Sequence, residues 1–257
     1  MAEIRFSPIT NISYFRTMKI RSIALFVFAL SFTAFGQRTI TFPSEDGLNI
    51  TADIYLSNDS TLPYILLCHQ AGYSRGEYNE TAKKFSRLGF NCMAIDLRSG
   101  GEVNGVQNMT FSEASKNKKG TEYLDAEQDI RAAIDFLFEK NKKKVVIVGS
   151  SYSASLVLKV AVDNEKVQSV IAFSPGEYFG KKLKLHEAIA DLDKPVLVLS
   201  SAKERDDINK LMKDVKSKKK NIFSPATGGE HGSKALWKVN ANYHDYWISV
   251  MMFLDSD

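Results

Sequence analysis

A serine between two small residues is the strongest candidate for covalent chemistry in this sequence. The pentapeptide GSSYS spans residues 149–153 and has Ser151 at its centre. A serine hydroxyl attacks an acyl carbonyl efficiently only when a neighbouring base removes its proton, and that base needs a carboxylate to orient it. The pentapeptide therefore predicts a nucleophile and directs the search to a histidine and an acidic residue elsewhere in the chain.

The segments on either side of the pentapeptide predict a strand that turns sharply into a helix. Residues 144–148 read KVVIV, a β-branched run typical of a buried parallel strand. Residues 154–161 (ASLVLKVA) lack Gly and Pro and have the apolar content of a packed helix. A serine on such a turn is exposed, and its neighbours two residues away must be small. Gly149 satisfies this requirement, and Ser153 stands where a second Gly is usual.

Two loops that follow later predicted strands carry the candidate base and acid. His231 lies in the glycine-rich loop at residues 227–232, an unusual place for a histidine of the core. Glu204 and Asp206 follow the apolar run at 196–199. Because functional groups gather at the carboxyl ends of parallel strands, we predict His231 as the base and Glu204 as the acid. Asp206 is the alternative acid, although it also fits a helix cap.

Backbone amides near Ser151 are the predicted donors to a tetrahedral oxyanion. The N–H of Tyr152 follows the nucleophile at the start of the predicted helix. A second donor is expected in the loop HQAGY at residues 69–73, where either Ala71 or Gln70 would supply it. The alternative interpretation is that His69 and Gln70 form only a turn.

From residue 38 onward, strand and helix patterns alternate along the chain. The predicted strands are 38–42, 48–56, 64–68, 91–97, 144–148, 167–174, 196–199 and 221–224. The predicted helices are 77–88, 123–140, 154–161, 206–216 and 244–254. This alternation predicts an α/β fold with a doubly wound, mostly parallel sheet that begins with an antiparallel hairpin. The connector at 175–194 is too short for a large lid, so the polar, Gly-rich loop at 98–120 is expected to shape access to an open pocket.

Residues 18–36 have the pattern of a secretory signal peptide. A basic start (MKIR) precedes an apolar stretch that ends in the small residues Ala34 and Gly36. The stretch is short and interrupted by Ser and Thr, which favours a cleaved leader over a membrane span. We expect Met18 to be the true start, residues 1–17 to be an upstream extension, and cleavage after Gly36 to release an exported chain, periplasmic or secreted, without a stable membrane anchor. The alternative is a buried or anchoring N-terminal helix.

The composition indicates one ordinary globular domain over residues 37–257. The whole chain has 257 residues, of which 44% are hydrophobic and 25% charged, and a net charge of +4. The lysine-rich run at 216–220 is interpreted as the solvated end of a helix, because no aromatic residues interrupt it as they would in a nucleic-acid site. Cys68 and Cys92 lie in neighbouring predicted strands and are expected to be buried free thiols. The scattered His and Cys residues match no metal site.

Taken together, these motifs resemble α/β-hydrolases of the dienelactone hydrolase or serine-esterase type, over essentially all of residues 38–257. The resemblance is carried by HQAG at 69–72, DLRSGG at 96–101, GSSYS at 149–153, the segment 195–204 and GEHG at 229–232. It implies Ser151, Glu204 and His231 as nucleophile, acid and base, and structural roles for Asp96 and Arg98. It implies no metal or organic cofactor.

The chain departs from the family pattern at three positions. Gln70 and Ser153 stand where Gly is usual, and Glu204 stands where Asp is commoner. The expected activity is that of an exported serine hydrolase cleaving small carboxylic esters, with no nucleic-acid partner. The alternatives are a small peptidase or acyltransferase on the same triad, or a non-catalytic binding protein of the same fold.

Overall fold

A computed structural model describes residues 37–57 and 59–255 of the chain. The predicted upstream extension and signal peptide, residues 1–36, lie outside the described residues. Within the described ranges, no helix is both long and apolar enough to cross a membrane.

The described residues form ten strands, seven α-helices and four short 3₁₀ turns. The strands are β1 (Gln37–Pro43), β2 (Asn49–Tyr55), β3 (Tyr64–Cys68), β4 (Asn91–Ile95), β5 (Glu102–Val103), β6 (Val106–Gln107), β7 (Val145–Ser150), β8 (Val167–Phe173), β9 (Val196–Leu199) and β10 (Lys220–Phe223). The helices are α1 (Asn79–Arg87), α2 (Met109–Lys116), α3 (Glu127–Asn141), α4 (Tyr152–Asp163), α5 (Leu185–Ala188), α6 (Arg205–Leu211) and α7 (Tyr243–Asp255). The 3₁₀ turns are Arg75–Tyr78, Tyr123–Ala126, Ala202–Glu204 and Ser233–Leu236.

Eight of these strands form one sheet in the order β1-β2-β4-β3-β7-β8-β9-β10. The pairs β1–β2 and β2–β4 are antiparallel, and every other neighbouring pair is parallel. The predicted doubly wound, mostly parallel sheet with an antiparallel hairpin at its start is therefore confirmed. Because the parallel strands all end on one edge, the loops after β3, β7, β8 and β9 meet there.

Helices cover both faces of the sheet, which explains why the central strands are apolar without interruption. Along β3, Leu66 packs on the same side as α3 and α4, and its neighbours Ile65 and Leu67 pack on the side of α1 and α7. This alternation is the two-residue period of a strand, applied to a sheet that is buried on both faces.

Two sequence expectations about connecting segments are wrong in detail. Residues 98–120 are not a plain loop, since they contain the ribbon β5–β6 and the helix α2. The lysine-rich run at 216–220 follows α6 by several residues and leads into β10, so it is not the end of a helix. Cys68 and Cys92 are free and buried, as predicted.

Candidate active site

Ser151 occupies a strained turn between β7 and α4. Its φ of 59° and ψ of −120° are unfavourable for a residue with a side chain, and its amide donates to the Phe173 carbonyl at 2.8 Å. A Cβ added to Gly149 would lie 2.5 Å from the Ser153 carbonyl oxygen, so only glycine fits there. The predicted strand–turn–helix context of Ser151 is therefore present, with a close backbone approach that explains Gly149.

Ser153 has a structural role that a glycine could not fill. Its Oγ donates to the Cys68 carbonyl at 2.8 Å and accepts from the Ser150 N–H at 2.9 Å. Both partners are buried, so these bonds satisfy polar groups that would otherwise be costly to bury. The departure from the usual Gly thus adds a link between β3 and the turn.

The structure brings the three predicted triad side chains into one hydrogen-bonded series. His231 Nε2 lies 2.8 Å from Ser151 Oγ, and His231 Nδ1 lies 2.5 Å from Glu204 Oε1. With a proton on Nδ1 shared with the carboxylate, Nε2 is free to accept the serine proton. This arrangement can transfer a proton from the hydroxyl to the imidazole as the oxygen attacks an electrophile.

Glu204, and not Asp206, contacts the histidine. Its second oxygen, Oε2, accepts from Ser201 N at 2.8 Å, Ser201 Oγ at 2.8 Å and Ser174 Oγ at 2.9 Å. Burial would raise the pKa of Glu204, but the bonds from His231, Ser201 and Ser174 outweigh burial and lower it to about 2. Asp206 is exposed in the first turn of α6.

Sequence reasoning missed Ser174, which joins the loops of the acid and the base. Its Oγ donates to Glu204 Oε2 and accepts from the Gly232 N–H at 3.0 Å, and its φ is 53°. The available signal was its position as the first residue after β8, at the edge where the other functional loops meet. A lone serine after a strand is too common to stand out.

The two predicted second oxyanion donors differ in how they are engaged. The Gln70 N–H donates to the buried carboxylate of Glu77 at 2.7 Å, so it is already committed. For the Ala71 N–H we find no acceptor among residues 37–57 and 59–255. Tyr152 is the first residue of α4, a position whose N–H has no partner within the helix. The N–H groups of Tyr152 and Ala71 are therefore available as oxyanion donors, whereas the N–H of Gln70 is not. Gln70 and Tyr73 also close a turn, with Tyr73 N donating to Gln70 O at 3.2 Å.

An aromatic cavity of about 340 Å³ lies beside the candidate nucleophile. The Tyr178 side chain lines it and contacts Ser151, while burial raises the pKa of the Tyr178 phenol. Tyr123 forms another wall and stacks on Tyr152 with ring centroids 4.5 Å apart. The expectation that residues 98–120 mainly shape this access is wrong, because only Ser99 of that segment lines the cavity and the other walls come from 121–124 and 178–182.

A second cavity, of about 600 Å³, is also lined by Tyr178. Its lining includes Glu204 and the charged side chains of Asp207 and Lys210. Tyr178 therefore belongs to the walls of both cavities.

Asp96 and Arg98, given structural roles by the resemblance, contact neither Ser151 nor His231 in the described structure. Asp96 accepts from the Arg75 guanidinium at 2.6 Å and from the Met109 N–H at 2.8 Å. Arg98 is buried against Asp129. Among the residues described, no group of three or more His, Cys, Asp or Glu side chains is arranged to hold a metal ion.

Comparisons with known proteins place this chain among hydrolases. The dienelactone hydrolase family matches residues 50–223. No curated protein matches the sequence.

Solved structures of similar fold come from several kinds of hydrolase. One is a dienelactone hydrolase from Anabaena variabilis, with 13% identity, a TM-score of 0.62, and coverage of 85% of this chain and 95% of that one. Another is an esterase of Pyrococcus furiosus, with 13% identity, a TM-score of 0.63, and coverage of 86% and 91%. A third is an acylaminoacyl peptidase of Pyrococcus horikoshii, with 14% identity and a TM-score of 0.63, where 86% of this chain corresponds to 41% of that one.

At these identities the solved structures establish the fold alone, whereas the family match spans more than half of the sequence. The chain therefore belongs to the dienelactone hydrolase family of the α/β-hydrolase superfamily.

Proposed function

We propose that this protein is a serine hydrolase that cleaves carboxylic esters of small molecules through an acyl-enzyme. Membership of the dienelactone hydrolase family supports a hydrolytic enzyme. The single observation that carries the finer proposal is the continuous series from Ser151 Oγ through His231 to Glu204, with spacings of 2.8 Å and 2.5 Å. The spacing of Ser151 and His231 lies within the range that proton transfer requires, and the shorter spacing of His231 and Glu204 is that of a close hydrogen bond that orients the histidine.

The proposed reaction has two halves. Ser151 Oγ attacks the ester carbonyl while His231 Nε2 takes its proton, and the N–H groups of Tyr152 and Ala71 stabilise the oxyanion. The intermediate collapses, the C–O bond to the alcohol breaks, and the imidazolium returns the proton to the leaving alkoxide. Water then attacks the acyl-enzyme with His231 again as base, which releases the carboxylic acid and restores Ser151. Glu204 stays ionised and keeps the imidazole oriented, which its low pKa supports.

The two cavities that share Tyr178, a neighbour of Ser151, suggest how the two parts of an ester would bind. The 340 Å³ cavity, with Tyr123 and Phe179 in its walls, suits an apolar acyl group, and the larger charged one suits a polar alcohol.

A small peptidase or an acyltransferase would use the same triad, and a non-catalytic binding protein would use the same cavities. Export through a leader at residues 18–36 remains part of the proposal.

The test is hydrolysis of p-nitrophenyl esters of increasing acyl length by residues 37–257. We expect Ser151→Ala and His231→Ala each to lower kcat by at least about 10⁴-fold, because members of a triad act as a unit. Ser249→Ala and His244→Ala, which change the same residue types on α7, should leave kcat unchanged.

Each rival function has its own outcome in the same experiment. Equal activity in all variants would disprove the triad. A folded wild type that neither turns over esters nor reacts with a fluorophosphonate would indicate a binding protein. Faster cleavage of acyl-peptides than of esters would indicate a peptidase, and acyl transfer to an added alcohol in preference to water would indicate an acyltransferase.

A further inference from the structure

A buried acidic residue outside the triad lies beneath the candidate site. Glu77 belongs to the 3₁₀ turn Arg75–Tyr78 and is only 1% exposed. In the part of the chain that the structure describes, no Lys or Arg forms an ion pair with its carboxylate. An acidic residue is rarely buried without a cation, so its presence here calls for a physical reason.

The Glu77 carboxylate binds three separate segments of the chain at once. Its Oε2 accepts from the Gln70 N–H at 2.7 Å. Its Oε1 accepts from Ser150 Oγ at 2.7 Å and from Ser233 Oγ at 2.5 Å. The Ser233 N–H donates in turn to Ser150 Oγ at 2.8 Å, which closes the network. The backbone carbonyl of Glu77 also accepts from Trp237 Nε1 at 3.1 Å.

Each of these partners adjoins a residue that the proposed reaction needs. Gln70 precedes Ala71, the second oxyanion donor, and Ser150 precedes the nucleophile Ser151. Ser233 follows the base His231 by two residues. One carboxylate therefore fixes the relative positions of an oxyanion donor, a nucleophile and a base that come from three loops widely separated in sequence.

We propose that Glu77 is a positioning residue for the reaction: it locks the oxyanion loop, the nucleophile turn and the histidine loop into the geometry that attack requires. This inference rests on the proposed function, because it concerns the same site. The physical reason is that misplacing a reacting group by about 1 Å can cost about 10²-fold in rate. A neutral or apolar residue could fill the space but could not accept three bonds from three segments.

The charge of Glu77 also acts on the base. Burial raises the pKa of Glu77, and bonds from Ser233, Gln70 and Ser150 oppose that rise, as does the field of His231. The titratable groups Tyr78, Cys68 and Tyr152 also surround it, and burial raises the pKa of each, so they stay neutral. When Glu77 is ionised, its carboxylate and that of Glu204 both favour the imidazolium that forms on His231 during attack.

The experiment compares Glu77→Gln with Glu80→Gln, which neutralises an exposed carboxylate on α1. Gln keeps the shape and an acceptor for the serines, but it places an NH₂ group against the Gln70 N–H. We expect Glu77→Gln to lower kcat by about 10²-fold with little change in KM. Glu80→Gln should match the wild type in both respects.

A second readout does not depend on turnover. Hydrogen exchange should speed up in peptides covering 69–73, 149–153 and 228–233 of Glu77→Gln, while the strands stay protected. If Glu77→Gln does not fold, Ser233→Ala removes one of the three bonds and should lower kcat by about tenfold.

The outcomes separate this inference from the proposed function. An active wild type with a folded Glu77→Gln of unchanged kcat, KM and loop exchange would overturn the positioning role. A wild type inert to esters and to fluorophosphonate would overturn the proposed function. In that case faster exchange in the three loops of Glu77→Gln would still support the inferred connection between them, and unchanged exchange would refute it.

Discussion

Glu204 illustrates how one methylene changes the construction of a site. It is the last residue of the 3₁₀ turn Ala202–Glu204, and its carboxylate reaches back to the N–H and hydroxyl of Ser201 while its other oxygen holds His231. The shorter Asp side chain, commoner in this role, could not span both contacts from the same backbone position. The longer acid therefore also caps the turn that carries it.

We predict that Glu204→Asp lowers kcat by about 10- to 100-fold, because the carboxylate retracts either from His231 or from Ser201. Glu204→Gln should cost about 10⁴-fold, since an amide does not hold the imidazole in the tautomer that accepts the serine proton. Steady-state kinetics on one p-nitrophenyl ester would measure both changes. Asp206→Asn, at the exposed alternative acid, serves as control and should retain full activity; a large loss there would mean that Asp206 acts in the reaction.

The ionisation of Glu204 also affects stability in acid. Because its pKa is lowered from 4.5 to about 2 on folding, its contribution to the free energy of unfolding is present above about pH 4.5 and is lost as pH falls toward 2. Glu204→Gln should lack this part of the acid dependence.

At the scale of elements, the strands could be predicted from the sequence more fully than the residues that line the aromatic cavity. The strands around Ser151 have apolar, β-branched patterns whose period is visible in the letters, and their ends determine where Ser151, Glu204 and His231 meet. Tyr123 and Tyr178 carry no such signal. They lie 55 positions apart and meet only because the segments before α3 and after β8 reach the same edge of the sheet.

Glu77 was hidden for a related reason. The sequence places it at the start of a predicted helix at 77–88. An acidic residue there usually points to solvent and is stabilised by the positive end of the helix dipole. In the structure, the 3₁₀ turn Arg75–Tyr78 precedes α1 and directs the carboxylate inward. The local sequence pattern does not reveal this inward direction, because the serines that bind the Glu77 carboxylate, Ser150 and Ser233, are distant in sequence.

Tyr123 should decide which acyl groups the aromatic cavity accepts. We predict that Tyr123→Ala raises KM for p-nitrophenyl benzoate by about tenfold, because a stacking surface of about 0.5–1.5 kcal/mol is lost in addition to apolar contact. KM for p-nitrophenyl acetate should change little, since an acetyl group is too small to reach this wall. Tyr123→Phe keeps the ring and should behave as the wild type. An equal change for both esters would show that the acyl group binds elsewhere.

At the scale of the whole molecule, one buried arginine joins three regions that are distant in sequence. Arg98 follows β4, pairs with Asp129 of α3 at 2.7 Å, and reaches Asp46 in the β1–β2 turn at 2.9 Å. Arg98 and Asp129 are almost fully inaccessible to solvent. The resemblance assigned Arg98 a structural role, but the sequence could not identify its partners, which lie 31 and 52 positions away.

We predict that Arg98→Met lowers the free energy of unfolding by about 3–5 kcal/mol, because it leaves the Asp129 charge buried without its partner. The double variant Arg98→Met, Asp129→Leu should lose less than the single one, since both charges are then absent. Arg131→Met, at a more exposed ion pair with Glu127, should cost no more than about 1 kcal/mol. Urea unfolding followed by circular dichroism would measure all three variants, and equal losses for Arg98→Met and Arg131→Met would contradict the argument.

The rate at which the two cysteines are alkylated would measure opening of the whole sheet. Cys68 and Cys92 lie on the neighbouring central strands β3 and β4, with no accessible surface, and burial raises the pKa of both thiols. An alkylating reagent reacts only with an exposed thiolate, so in the native protein it must wait until these strands separate. The rate of labelling by iodoacetamide would therefore report global unfolding directly, in any variant, without a probe having to be introduced.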